Sequence, residues 1–429
     1  MPLPIAMPLS AALPPAAALP FSAAAAPSTP LGPFADSAVA WTTWVTLMGF
    51  VGLAALALLI AVPAAARAAP GAVPAVTTRL ARAAVVLGVL AVPAVLTDLA
   101  HGASASDGYD YAAAWNSLYD GSNAGRLSGL EVTLILVGIA LLAPLTARRQ
   151  TAGAPAAGRA RPWLLGGGLA AATVALGTTR FPDQVPADWG RSVFQTLMWM
   201  LHLIGGAVWL GGLVGLVLLA LPGVLPESAE RGAFWSLALR RFSAWAMGCV
   251  AAIALSGLFL YWEHVDGPSQ LLSTMYGRVL GVKIIIFGGL LLLGMYNQFW
   301  LHPRVDALRA AGEERPLATV LLRKFPLVVA TEVLLGLALL FVAPFLHGSA
   351  RNQAYQANLA EHSVTAVDAK ALPKLPAKTA TASTWVWGSA ETVAVVALMV
   401  GGYRVSGRLA RRRPEAAPVA AAPADPVSR

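Results

Sequence analysis

Residues 193–222 read VFQTLMWMLHLIGGAVWLGGLVGLVLLALP, and this stretch decides the fold. It is apolar over more than the roughly 20 residues that a helix needs to cross a bilayer. Its one ionisable side chain is His202, between a third and half of the way along. Met198, Trp199, Met200 and Trp209 surround that histidine, with Gly205, Gly206, Gly211 and Gly212 on the same stretch. Small residues allow a second helix to approach closely. An ionisable group at membrane depth is costly, so it faces a bundle interior and either pairs there or carries a function.

The composition agrees. Of 429 residues, 57% are hydrophobic and 12% are charged, against about 25% charged in a soluble domain. Mean hydropathy is +0.66. These values exclude a soluble enzyme with a single anchor and predict an all-α, polytopic membrane helix bundle embedded in lipid. The net charge of +9 lies mostly in short loops and the C-terminal tail, where the positive-inside rule puts it, and so does not indicate nucleic-acid binding. The one cysteine, Cys249, excludes a disulfide framework and a multi-thiolate metal site and reads as a packing residue.

Apolar runs at 41–62, 83–100, 129–146, 163–179, 193–221, 242–262, 279–300, 325–346 and 385–403 predict about nine transmembrane helices. Residues 1–40 form an Ala/Pro-rich tail without a basic leader, expected to be disordered, and 405–429 form a basic cytoplasmic tail. Loops rich in arginine alternate with loops carrying Asp107, Asp110, Asp120, Asp183, Asp188, Glu263 and Asp266. The alternation places the N-terminus outside and the C-terminus inside the cytoplasmic (inner) membrane. The segment 347–384 is then a long outer loop, and 385–404 the final span.

The chain also repeats itself. Gly125-Arg126-Leu127-Ser128-Gly129-Leu130-Glu131-Val132 opens the third span, and Gly277-Arg278-Val279-Leu280-Gly281-Val282-Lys283-Ile284 opens the seventh. Each follows a helix ending near a histidine, His101 or His264. The pattern predicts two parallel four-helix repeats, 41–180 and 193–346, plus one extra C-terminal helix; parallel repeats of this kind occur in transporters.

The histidines are unevenly distributed. His101, His264 and His347 fall at expected outer helix ends, His362 in the outer loop, His302 on the inner side and His202 within the membrane. Imidazole suits copper, zinc and iron, and thioether suits Cu(I); Met198, Met200 and Met275 share the outer half with these histidines. The candidate metal ligands are therefore His202, His264, His347 and His101. Three further intramembrane polar residues need partners: Lys283 about one turn inside span seven, Glu131 at the matching position of span three, and Glu332 about two turns from the inner end of span eight. Glu131 and Lys283 are placed to pair across the pseudo-symmetry axis, as a structural pair or as an ion relay. Asp98, three residues before His101, is placed to orient that imidazole from behind.

The order of these features resembles the copper resistance protein D (CopD) family over about 195–345. The carriers are His202 followed by Trp209-Leu210-Gly211-Gly212, then Arg241-Phe242-Ser243 with Ala246, Ser256-Gly257-Leu258, Thr274-Met275-Tyr276-Gly277-Arg278 running on to Lys283, and a mid-helix Glu332. The resemblance implies a non-enzymatic inner-membrane protein of copper resistance or uptake. It also implies copper as the ligand, a periplasmic copper-binding partner of the CopC type, and His202, Trp209, Lys283 and Glu332 as the family-like positions. The last span and tail are additions to that pattern.

Two other readings stand beside this one. A histidine in a helix bundle is a common axial haem ligand, and the same His, Trp-Leu-Gly-Gly and Lys pattern resembles HemJ-type protoporphyrinogen oxidases. A haem b oxidoreductase would use His202 as ligand and Lys283 for a carboxylate. The third reading is a non-catalytic membrane assembly factor whose polar residues merely pair. The chain has no phosphate-binding glycine loop ending in Lys-Ser or Lys-Thr, and no Asp-Lys-Thr-Gly run. ATP-driven pumping by this chain is therefore not expected.

Overall fold

The computed structural model describes residues 34–104, 108–147, 155–225, 229–301, 324–346, 348–362, 375–376 and 378–411. Among them there is no strand. The helices are α1 (Phe34–Leu56), α2 (Val62–Ala68), α3 (Val73–Ala103), α4 (Tyr111–Ser117), α5 (Asn123–Leu142), α6 (Pro155–Thr178), α7 (Trp189–Ala220), α8 (Ala229–His264), α9 (Gln270–Ser273), α10 (Met275–Tyr296), α11 (Lys324–Val342), α12 (Ala350–His362) and α13 (Ala382–Arg411). The chain is an all-α polytopic membrane bundle. Eight of its helical segments are long and apolar enough to cross a bilayer.

The bundle centre is the crossing of α1 and α7. A Cβ added at Gly52 would come within 2.7 Å of Gly211 Cα, and one added at Gly211 would come within 2.6 Å of Gly52 Cα. The two backbones therefore touch, the kind of approach only small residues permit. The other α7 glycines divide between two neighbours. Gly206 receives Met48 and Gly215 receives Leu53 and Leu56 from α1, while Gly205 receives Ile253 and Gly212 receives Phe242 from α8. Leu47, Phe50, Leu53, Leu80, Ile135 and Leu219 are buried around this crossing.

One end of the bundle holds the start of α1, the end of α3 with His101, the start of α7, and the end of α8 with His264; we call it the histidine end. The opposite end is held by arginines. Arg79 donates to the carbonyls of Leu218 (3.3 Å) and Pro222 (3.1 Å), and Arg82 donates to that of Thr146 (2.8 Å). These carbonyls belong to helix ends, where no intrahelical N–H reaches them. Between α1 and α2 the chain runs through a π turn, Ala57–Ala61. Such a turn shifts the hydrogen-bond ladder, and Arg241 Nη2 donates to the Leu59 carbonyl at 3.0 Å. The arginine of the Arg-Phe-Ser motif thus ties α8 to this irregularity.

Three boundaries differ from the sequence reading. The expected span at 163–179 is α6, which carries the chain from the arginine end, where α5 closes, back to the histidine end, where α7 begins; its glycine- and alanine-rich sequence, opening with Arg159, Arg161 and Pro162, makes it less apolar than the eight long apolar helices. The tail expected to run to residue 40 gives way to helix at Phe34. Phe34 packs its ring on Phe341 (5.7 Å) and Asp36 reaches His101, so both residues have partners that order them. The expected loop 347–384 contains α12, and Lys378 within it donates to the carbonyls of Trp262 (3.1 Å) and Val265 (3.2 Å). The final span extends to α13, Ala382–Arg411, rather than 385–404. Most of the expected N-terminal tail, residues 1–33, and the tail 412–429 lie outside the described residues.

The two repeat motifs enter their helices in the same way. Ser122 Oγ accepts from Gly125 N (2.9 Å) at the start of α5, and Thr274 Oγ1 accepts from Gly277 N (3.0 Å) at the start of α10. A Cβ at Gly125 would clash with Ser117 O at the last residue of α4, and one at Gly277 with Gln270 O in α9. In both motifs the glycine lets a short preceding helix lie against the first turn.

Candidate functional site around His202

His202 stands thirteen residues into α7, about 20 Å from its start at 1.5 Å per residue. Its Nδ1 lies 3.1 Å from Ser256 Oγ on α8. The Ser256 hydroxyl proton is committed to the backbone, donating to the Ala252 carbonyl one turn back. Ser256 Oγ can therefore only accept from the imidazole, and Nδ1 carries the proton. That leaves Nε2 with a free lone pair, the form in which imidazole ligates a metal. Gly257 keeps α8 open beside the ring: a Cβ there would lie 3.7 Å from His202 Cε1.

Two cations act on this imidazole, Lys283 and Arg180, and they act on each other. Lys283 stands on α10. Trp209 and Phe287 meet edge to face, with centroids 6.1 Å apart; Phe287 is one turn after Lys283 and Trp209 two turns after His202, spacings that return to the same helix face. Arg180 reaches it from the turn after α6. Its guanidinium lies 4.1 Å from the Trp199 ring and 5.5 Å from the Trp44 ring, and Trp199 stands edge-on to His202 at 6.5 Å. Arg180 lies outside the membrane-spanning helices, where burial lowers its pKa from the usual guanidinium range. Among the described residues no carboxylate pairs with Arg180 or Lys283, and Arg180 Nε is buried without a hydrogen-bond partner.

The other predicted residues lie apart. His264 is eight residues beyond Ser256 on α8, about 12 Å along the axis. Its ring stacks on Tyr276, with centroids 5.7 Å apart, and its Nδ1–H donates to the Leu260 carbonyl at 2.8 Å. Ligands to one ion stand within about 2 Å of it, so His202 and His264 do not share an ion in this arrangement. His101 pairs through Nε2 with Asp36 (3.2 Å) and packs against Tyr109. The carboxylate that contacts this imidazole is thus Asp36 from α1. Asp98 acts on His101 and on Glu131 only as a nearby charge. Glu131 is buried on α5 and forms no ion pair with Lys283; the charges acting on the two residues are Asp98 and Arg180 respectively. Among the described residues no cluster of three His, Cys, Asp or Glu side chains has metal-binding proximity. His347 lies outside the described residues, as does His302, and the side chain of His362 is not described. Cys249 is free and buried, packed with Ala55 and Val208.

Glu332 is buried on α11 with Oε1 unpartnered. It lines a cavity of about 850 Å³ between α7, α8, α10, α11 and α13, walled mostly by apolar residues such as Trp209, Trp235 and Leu290 and also by Arg231, Asn297, Gln298 and Arg404.

Sequence reasoning named His202, Lys283 and Trp209 but missed Arg180 and Asp36. Arg180 sits in an inter-helix turn, where a cation reads as loop charge. The only signal available was that it follows an apolar run directly, with Trp199 and Trp44 elsewhere in the chain to receive it.

These features define an α-helical, multi-pass membrane protein with a histidine set between cations in its helix bundle. Residues 236–346 match the family model of copper resistance protein D. The match contains Ser256, His264, Lys283 and Glu332 and begins after His202 and Trp209, later than the start near 195 implied by the resemblance. Over 98 residues the chain is 36% identical to the copper transport protein CutJ of Bacillus subtilis (strain 168), covering 23% of this chain and 18% of that protein. The chain thus matches less than a fifth of that relative's length. No solved structure matches.

Proposed function

We propose that the protein handles copper in the cytoplasmic membrane, accepting the ion at the histidine end or moving it across, with His202 as the intramembrane donor. The observation that carries this reading is the fixed tautomer of His202: Ser256 holds Nδ1–H and leaves Nε2 free. The match to the copper resistance protein D model over 236–346 and the name of the CutJ relative point to the metal. His264, whose Nδ1–H is likewise engaged by a carbonyl, leaves its Nε2 free nearer the bundle end and is a way station rather than a co-ligand of the same ion. His101, held by Asp36, is the least available of the described histidines. The histidine end faces outward under the positive-inside rule, where a periplasmic copper-binding partner of the CopC type would deliver the ion. The matched entries of α5 and α10 support a chain built from two related four-helix halves. No redox catalysis by the chain itself is required.

The test is elemental analysis of the detergent-purified protein after expression with copper and iron both supplied. Copper near one per chain, lost in His202→Ala with normal expression, is expected. Copper content unchanged in His202→Ala overturns the assignment of that residue. The cations beside His202 favour one second reading, a haem b site in which they would hold propionates. Iron near one per chain with a haem absorption band would establish it instead.

A further inference from the structure

The cations around His202 make an incomplete charge set. The Arg180 guanidinium lies over the Trp199 ring at 4.1 Å and over the Trp44 ring at 5.5 Å. Its planar N–H fork matches two oxygens of one oxyanion. One donor of that fork, Nε, is buried and unpartnered. Lys283 has neither an ion pair nor a hydrogen bond among the described residues. An ionisable side chain within a helix bundle is ordinarily paired or lines a ligand path, and a buried donor left unmade is costly. Five chain segments contribute: α1, the α6–α7 turn, α7, α8 and α10.

We infer that Arg180 and Lys283, with His202 between α7 and α10, form a binding site for an oxyanion, a carboxylate or a phosphate group. The site holds whichever metal His202 takes, and it makes a bare copper ion an unfavourable neighbour unless an anion accompanies it. The chemistry is shared by two sources, a small soluble oxyanion and the phosphate of an anionic lipid reaching in at the histidine end.

The full-length protein, delipidated in detergent, is followed by thermal unfolding at constant ionic strength. Acetate and inorganic phosphate are titrated in one arm, and phosphatidylglycerol is titrated against phosphatidylcholine in the other. A saturable rise in unfolding midpoint is expected in one arm, which identifies the source. It should be lost in both Arg180→Gln and Lys283→Gln and retained at least in part in Lys283→Arg. A variant that fails to fold is replaced by the milder Arg180→Lys, expected to weaken the response at least about tenfold because the fork is lost. No saturable response in either arm, or one unaltered by both substitutions, overturns the inference. Copper content is read on the same samples, so loss of the oxyanion response with copper retained separates this site from the copper reading.

Discussion

Ser256 holds His202 from the neighbouring helix: Nδ1 of the imidazole lies 3.1 Å from the serine hydroxyl, whose own proton is given to the backbone of α8. The consequence is directional. The proton stays on the nitrogen facing α8, and the lone pair stays on Nε2. Removing the hydroxyl in Ser256→Ala leaves Nδ1–H without its acceptor and lets the ring turn or change tautomer. Outer partners of this kind typically contribute 10–100-fold to metal affinity. Copper affinity of the purified protein should therefore fall by about tenfold or more in Ser256→Ala, and Ser256→Thr should recover much of it. Equal affinity in Ser256→Ala and the parent would show that Ser256 does not orient the ligand.

The contact of Gly52 with Gly211 predicts where the bundle is least tolerant. A Cβ at Gly52 would stand 2.0 Å from the Ala207 carbonyl oxygen, a backbone atom that cannot turn aside as a side chain can. Gly52→Ala should destabilise the protein by about 1–3 kcal/mol, the usual cost of overpacking. Gly248→Ala, in open space on α8, should be neutral or slightly stabilising because helical glycine is unfavourable by about 1 kcal/mol relative to alanine. Unfolding midpoints of the two variants in one detergent provide the comparison, and equal midpoints would contradict the close crossing.

Lys378 predicts how the connection after α12 is held. Its ammonium reaches the carbonyls of Trp262 and Val265 and the Asp266 carboxylate (3.0 Å) and lies over the Trp262 ring (5.4 Å). Arg191 donates to the Lys378 carbonyl at 2.6 Å, adding a tie to α7. Lys378→Ala removes all the side-chain ties at once, so cleavage near 375–381 by a nonspecific protease should accelerate several-fold while the core fragments persist. An unchanged cleavage rate would mean that the connection is held by Arg191 and its neighbours alone.

The sequence made the membrane bundle legible because apolar length needs no knowledge of neighbours: α7 and α10 were recognisable from their own residues. The glycines of α7 announced close packing, yet their division between α1 and α8 depends on helix facing, which a linear pattern does not contain. α6 was legible from its length, although its glycine- and alanine-rich run lacks the bulk that makes the other long helices more apolar. At the site, His202 was legible from its cost in lipid. Its pairing with Ser256, the approach of Arg180 and the pairing of His101 with Asp36 rather than Asp98 join residues far apart in the chain. Local spacing favoured Asp98; tertiary packing of α1 on α3 selected Asp36.

The orientation we propose rests on the arginines. Arg79 and Arg82 cap helix ends at the end of the bundle opposite the histidines, and short arginine-rich connections stay on the cytoplasmic side. Two exposed positions mark the two faces: Ala124 in the first turn of α5 at the histidine end, and Leu221 at the close of α7 beside the carbonyls that Arg79 holds. The native thiol, Cys249, is buried and gives little background. In intact cells a membrane-impermeant maleimide should label Ala124→Cys and spare Leu221→Cys, and permeabilisation should expose the second site. The reverse pattern would invert the bundle. His202 and His264 would then be approached from the cytoplasm, and a periplasmic donor could not be the source of the ion.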